Sequence, residues 1–199
     1  MMIRVLLSVS LLFLGVNLFS QVLPINQQKE TVNPVRSWEQ RQHWQDYNDL
    51  DGRFRVSIPA DWEHHIDTIS TPIGEQAYHT FYLQSPSDTA DNVIYMLSYV
   101  DYPSDALHHD SLTLVKELLD VTIEEAEENL RGEVLFDTER ERNGYPGRYW
   151  RIDYLNGRAS IRTQAFVVGN RYYALQTVSK NALGVNQSTD RFFDSLVLF

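Results

Sequence analysis

No cysteine occurs among the 199 residues. Its absence excludes disulfides, thiol catalysis, thiolate metal sites and a diacylglyceryl-cysteine anchor, so the fold rests on its core alone. An exported domain without cysteine fits a bacterial envelope better than a secretory route that relies on disulfides. Cationic side chains are scarce: 17 Lys and Arg stand against 27 Asp and Glu, a formal charge of −10. A surface of that sign repels nucleic acid and anionic lipid, so neither is expected as a partner. The chain also lacks a Gly-x-Ser-x-Gly elbow, a Walker loop and a dinucleotide glycine pattern. It has no internal repeat and no low-complexity tract. No cofactor is expected.

Long apolar runs are equally few, and the one present sits at the start. Met1-Met2-Ile3-Arg4 supplies a cationic head, Val5 to Phe19 an apolar middle, and Ser20 a small residue before Gln21. That order is the order of an export signal. The run is shorter than the ~20 residues of a membrane-spanning helix, and the polar Asn26-Gln27-Gln28-Lys29-Glu30 follows it rather than a stop-transfer cluster. The expectation is a signal peptide over 1–20, cleaved on export to the periplasm or the medium, leaving no membrane span and no lipid anchor. Loss of Arg4 would move the formal charge to −11, with 16 cationic against 27 acidic side chains. Residues 21–42 are polar, contain Pro24 and Pro34 and show no periodicity, which predicts a flexible tether. One domain is then expected over 43–199.

Within it the hydrophobic pattern is mostly that of strands. Phe54, Val56 and Ile58 alternate with Arg53, Arg55 and Ser57 after the turn signal Asp51-Gly52, and Pro59 stops the run. Glu75–Gln84, Val93–Tyr102 and Glu133–Glu139 read as further strands. Arg148–Leu155, Arg158–Val168 and Arg171–Lys180 form a meander, joined by Asn156-Gly157 and Gly169-Asn170. Over Ser111–Arg131, Leu112, Val115, Leu119, Thr122, Ile123, Ala126 and Leu130 share one side of a helix, and Glu117, Asp120, Glu124, Glu127 and Glu128 the other. Asp110 or Ser111 is placed to cap its start and Gly132 to end it. A short closing helix is expected over Thr189–Ser195, capped by Ser188. The fold class is α+β: an antiparallel sheet packed by one long amphipathic helix and a short C-terminal one.

Two constellations stand out chemically. The first is His64-His65 with His108-His109-Asp110, whose imidazole and carboxylate donors suit zinc or copper. Adjacent histidines diverge on any element, so a site would need one pair to meet the other across the fold. His79, in a strand, is expected to face solvent or a tyrosine. The second follows from register. A two-residue turn at Asn156-Gly157 sets Arg151 directly opposite Arg162, on the face shared with Tyr149, Asp153, Ser160 and Gln164. Opposed like charges are unfavourable. Either acids offset them, Asp153 together with Asp137 or Glu139, or Arg151, Arg162, Asp153 and Tyr149 form a spot that reads an anion. The acidic helix face reads as a solubility surface or a dock for a basic partner. Asn186-Gln187-Ser188 fits a glycosylation triplet.

The order of pieces resembles the PsbP/Mog1-like α/β/α sandwich family. The resemblance rests on the opening strand ending at Pro59 and Trp62, the long central helix, the Arg148–Lys180 meander with Tyr172-Tyr173, and the ending Phe192-Phe193-Asp194-Ser195-Leu196. It spans most of 43–199. Members of that family serve as an extrinsic photosynthetic subunit, as a partner of a small GTPase, or as bacterial envelope proteins. The resemblance therefore implies binding of another protein rather than catalysis. No photosynthetic signature is present. The reading is an exported, non-catalytic envelope protein that binds or supports another macromolecule, another envelope protein above all. Second comes a binder of a small anion or a metal, and third a hydrolase.

Overall fold

A computed structural model describes residues 36–199. The expected export signal and most of the expected tether lie outside the described residues. The elements, in chain order, are α1 (Trp38–Arg41), β1 (Gln45–Asp49), β2 (Phe54–Ile58), β3 (Glu63–Thr71), β4 (Gly74–Gln84) and β5 (Ile94–Asp101). Then follow α2 (Leu112–Leu130), β6 (Glu133–Arg142), β7 (Tyr145–Tyr154), β8 (Ala159–Val168), β9 (Arg171–Lys180), a 3₁₀ turn (Asn181–Leu183), α3 (Gln187–Asp194) and β10 (Val197–Leu198).

Seven strands make one antiparallel sheet in the order β3-β4-β5-β9-β8-β7-β6, and β1-β2-β10 make a smaller one. Helix α2 covers one face of the large sheet. The small sheet and α3 cover the other. Strands buried on both faces lose the polar–apolar alternation that marks a half-wet strand. Thus β8 is buried at nine of its ten positions and β5 at all but Asp101.

The meander has the register that its turns dictate. Arg151 opposes Arg162, Trp150 opposes Thr163 and Ile152 opposes Ile161. Leu155, Asn156 and Gly157 all take positive φ, whereas at the next turn Gly169 alone does. Two cores result. Trp150, Ile152, Val167 and Tyr172 pack under Val115, Leu118, Leu119 and Ile123 of α2. On the opposite face Phe54, Phe81, Tyr95, Tyr173, Phe192 and Phe193 form an aromatic layer.

Several expectations need correction. The polar tether was expected to run to Gln42, yet α1 is ordered and its Trp38 and Glu39 are buried. Ser37 and Gln40 cap it reciprocally, a capping box. The Glu39 carboxylate accepts from the backbone N–H of Asp91 (2.8 Å) and Asn92 (3.0 Å) and from the Tyr95 hydroxyl (3.0 Å). Strand β3 was not foreseen, because an edge strand with few bulky apolar residues carries little signal. Ser111 precedes α2 but makes no side-chain cap, and Arg131, one residue before Gly132, adopts the left-handed conformation (φ 48°) at the helix end. Leu112 is 66% exposed instead of facing the core. Asn186, not Ser188, caps α3, accepting from Thr189 N–H at 2.7 Å.

Candidate functional site

The paired arginines of the meander are each engaged by neighbouring side chains. Arg151 donates to both oxygens of Asp153 (2.8 and 3.2 Å) and to Asn181 Oδ1 (2.6 Å). The backbone at Gly184 lies directly over this guanidinium: a Cβ there would sit 2.6 Å from Arg151 Nη2. Arg162 donates to the Tyr149 hydroxyl and to Asp190 (2.9 Å), and its guanidinium lies over the rings of Tyr149 and Phe193. Two like charges in register are thus neutralised separately, one by a neighbour on its own strand and one from α3. Asp153, expected to serve Arg162 as a diagonal neighbour, serves Arg151. Asp137 neutralises a third cation, Arg148, together with Asp120 of α2. Glu139 lies opposite Arg148 in the β6–β7 register. Arg162 is only 8% exposed, and its Nη1 is buried with no hydrogen-bond partner.

The histidines divide into three settings. His64 and His65 point to opposite faces of β3. His65 lies on Tyr82 and contacts Glu63 (3.3 Å). His108, His109 and Asp110 do converge, their ligand atoms all within 4.8 Å of one another. Their hydrogen bonds nevertheless oppose a metal there. The His109 Nδ1 accepts from the Gly169 N–H (3.0 Å), while the His108 Nδ1 lies 3.3 Å from the Asp110 N–H and 3.2 Å from an Asp110 carboxylate oxygen. The neutral His109 imidazole then carries its proton on Nε2 and points that nitrogen at Asp110 (3.3 Å). The trio pins the loop before α2 to the β8–β9 turn, reinforced by His109 N–H to Gly169 carbonyl at 2.8 Å.

The third setting was not legible as a site. His64 meets His79, not the distant pair: the His64 Nε2 and His79 Nδ1 lie 3.2 Å apart. The Tyr99 hydroxyl is 2.9 Å from the same His79 nitrogen. These side chains form a stacked row, Phe81 on His64 (centroids 4.0 Å apart) and His79 on Tyr99 (4.3 Å). Burial lowers the proton affinity of both imidazoles, and for His79 the neighbouring His64 and Arg171 add to it. The Tyr99 hydroxyl is pushed up to about 12, chiefly by burial and secondarily by Asp49.

On the helix-bearing face a groove of about 400 Å³ opens between the first turns of α2 and the β6–β7 hairpin. Val115 and Leu119 lie in its floor, Leu112 at its mouth, and Lys116, Glu139 and Arg148 along its walls. Arg148 is fully spoken for. Burial works against its charge, but the hydrogen bonds and charges of Asp137 and Asp120 more than offset that and raise its proton affinity. Asn186 is held on both sides of its amide, donating to Asn92 Oδ1 (3.0 Å) and the Leu183 carbonyl (2.8 Å). A glycan on that nitrogen would take one of its two protons and so cost at least one of these bonds. Among the described residues no helix is long and apolar enough to cross a membrane.

Comparison with known proteins returns likenesses of structure only. No family model matches the chain, and no curated protein matches it in sequence. The solution structure of cyanobacterial PsbP (CyanoP) from Synechocystis sp. PCC 6803 is similar at 11% identity, covering 85% of this chain and 98% of that one, with a TM-score of 0.46. A crystal structure from Bacteroides thetaiotaomicron is similar at 13% identity over 77% of this chain and 48% of that one, TM-score 0.45. A Pseudomonas aeruginosa protein of unknown function is similar at 15% identity over 70% of this chain and 85% of that one, TM-score 0.34. Likenesses at this level carry neither a family nor an activity with them.

Proposed function

We propose that this chain is a PsbP/Mog1-like module, exported and non-catalytic, that docks against another envelope protein through the groove beside α2. The observation that carries the reading is Leu112. It sits in phase with the buried stripe of α2, yet it is 66% exposed at the mouth of a groove floored by Val115 and Leu119. An apolar anchor over an apolar floor, rimmed by charges, is how a protein side chain is gripped. The acidic balance of the chain favours a basic partner, whose binding weakens as salt rises.

The test is a photo-crosslinking residue at position 112, with a control at Val185, which is 76% exposed on a distant loop. Exposed to the envelope fraction of its own cell, the protein should give a discrete adduct from position 112 and none from 185. Leu112→Glu should abolish co-purification of the same species. Equal adducts from both positions, or none from 112, would overturn the reading.

A further inference from the structure

We propose that His64 and His79 form a binding site for a borderline divalent transition metal, zinc or copper, on the face of the large sheet opposite α2. Two imidazole nitrogens bound to one tetrahedral metal at 2.0–2.1 Å lie about 3.3 Å apart. The His64 Nε2 and His79 Nδ1 are held 3.2 Å apart without a metal. Strand pairing sets that spacing. His64 opposes Phe81 and His79 opposes Ile66, so the two imidazoles are diagonal neighbours on one face of the β3–β4 ladder. Stacking on Phe81 and on Tyr99 restrains each ring, so little side-chain freedom is lost on coordination.

The contrast with His108 and His109 is chemical. There the Gly169 N–H occupies the His109 Nδ1 and leaves the proton on Nε2, and the His108 Nδ1 is turned onto Asp110. Here the two facing nitrogens meet each other and the Tyr99 hydroxyl, all side-chain groups that rotate or exchange protons. A metal takes the place of the proton shared between the two rings, with both lone pairs turned to it.

The surrounding charge suits a cation. Asp49 on β1 acts on both imidazoles, and Asp101 on β5 acts on His79. Arg171 on β9 is the opposing charge. It is held by Asp101 through two 2.6 Å bonds and by the Asp51 carbonyl at 2.7 Å. His64 is exposed and His79 half-buried, which leaves room for water to complete the coordination. The site lies across the sheet from the α2 groove and does not depend on docking there.

The experiment is calorimetric titration of the untagged protein with Zn²⁺, paired with electron paramagnetic resonance of the Cu²⁺ form. Expected are one metal per chain at micromolar affinity and nitrogen hyperfine structure in the copper spectrum. His64→Gln and His79→Gln should each weaken binding by at least about tenfold, the scale on which even outer ligand partners act. A His108→Gln/His109→Gln double variant should bind as the parent does. Copper-induced broadening of the His64 and His79 resonances in the unaltered protein gives the same answer without a variant. No binding at micromolar metal would overturn the proposal. So would binding that survives both single substitutions, or broadening centred on His108 and His109.

Discussion

At the scale of single residues, the buried charges decide most. Glu39 is 1% exposed and satisfies two backbone donors and one phenol. Truncation strands all three, and charge-assisted bonds of this kind contribute about 1.5–3 kcal/mol. Glu39→Ala should therefore lower the unfolding free energy by about 3 kcal/mol in urea titration, and Glu39→Gln by less, since the amide keeps one acceptor oxygen. Arg151 and Asp153 are each only 12% exposed, so breaking that pair costs on the order of 3 kcal/mol. For Arg162 the partner Asp190 is half exposed and solvent screens the pair, so Arg162→Gln should cost about 1 kcal/mol. Gly184→Ala would press a methyl group onto the Arg151 guanidinium and should cost about 1–3 kcal/mol.

The histidine row adds a pH dependence. Folding lowers the proton affinity of His64 and His79 below the ordinary 6.5, so the unfolded chain binds protons more tightly. Their contribution to stability is complete above pH 6.5 and falls away as the pH drops from there through the folded-state values. The urea midpoint should decline on acidification below 6.5, and less steeply in the His64→Gln/His79→Gln double variant. An unchanged slope would place the titration elsewhere.

At the scale of elements, caps and edges matter. The Asn186 side chain starts α3 and also clasps Asn92 in the loop before β5. Asn186→Ala should cost about 1–2 kcal/mol, while Asn186→Asp keeps the cap and should recover part of it. What was legible at this scale followed from pattern strength. The β7–β8–β9 meander was readable as strands, and its β7–β8 hairpin down to residue pairs, because turn chemistry sets register. Helix α2 was readable because its stripe repeats over five turns. Strand β3 was not, since Glu-His-His-Ile-Asp-Thr-Ile-Ser-Thr at a sheet edge has little to bury. With β3 unseen, the meeting of His64 and His79 was out of reach. The ordered end of the tether had one local sign, the Ser37–Gln40 spacing of a capping box. The burial of Glu39 had none, because its partners lie some fifty residues on.

At the scale of the molecule, the two cores differ in how they are assembled. The α2 face draws on segments close in sequence, α2 packing on the β7 that soon follows it. The opposite face joins the beginning of the domain to its end: β2 is flanked by β1 on one side and β10 on the other, and Ser57 N–H bonds to Ser195 Oγ at 2.9 Å. Loop closure must precede that contact, which makes it slow to form. Amide exchange should show β1, β2 and β10 opening together at lower free energy than β8 and β9, whose ladders are paired on both sides. Uniform protection across both sheets would contradict this.

Strand β6 borders open solvent along ten residues, with a register irregularity at Leu135 and acidic and basic side chains crowding its outer half. Such a margin refuses to template a neighbouring chain. The opposite margin, β3, has no such defence beyond Ile66: His-Ile-Asp-Thr-Ile-Ser-Thr is nearly neutral and unkinked. If copies of this protein are crowded together and self-stick, the seam should run along that margin, and a lysine in place of Ile66 should keep them apart.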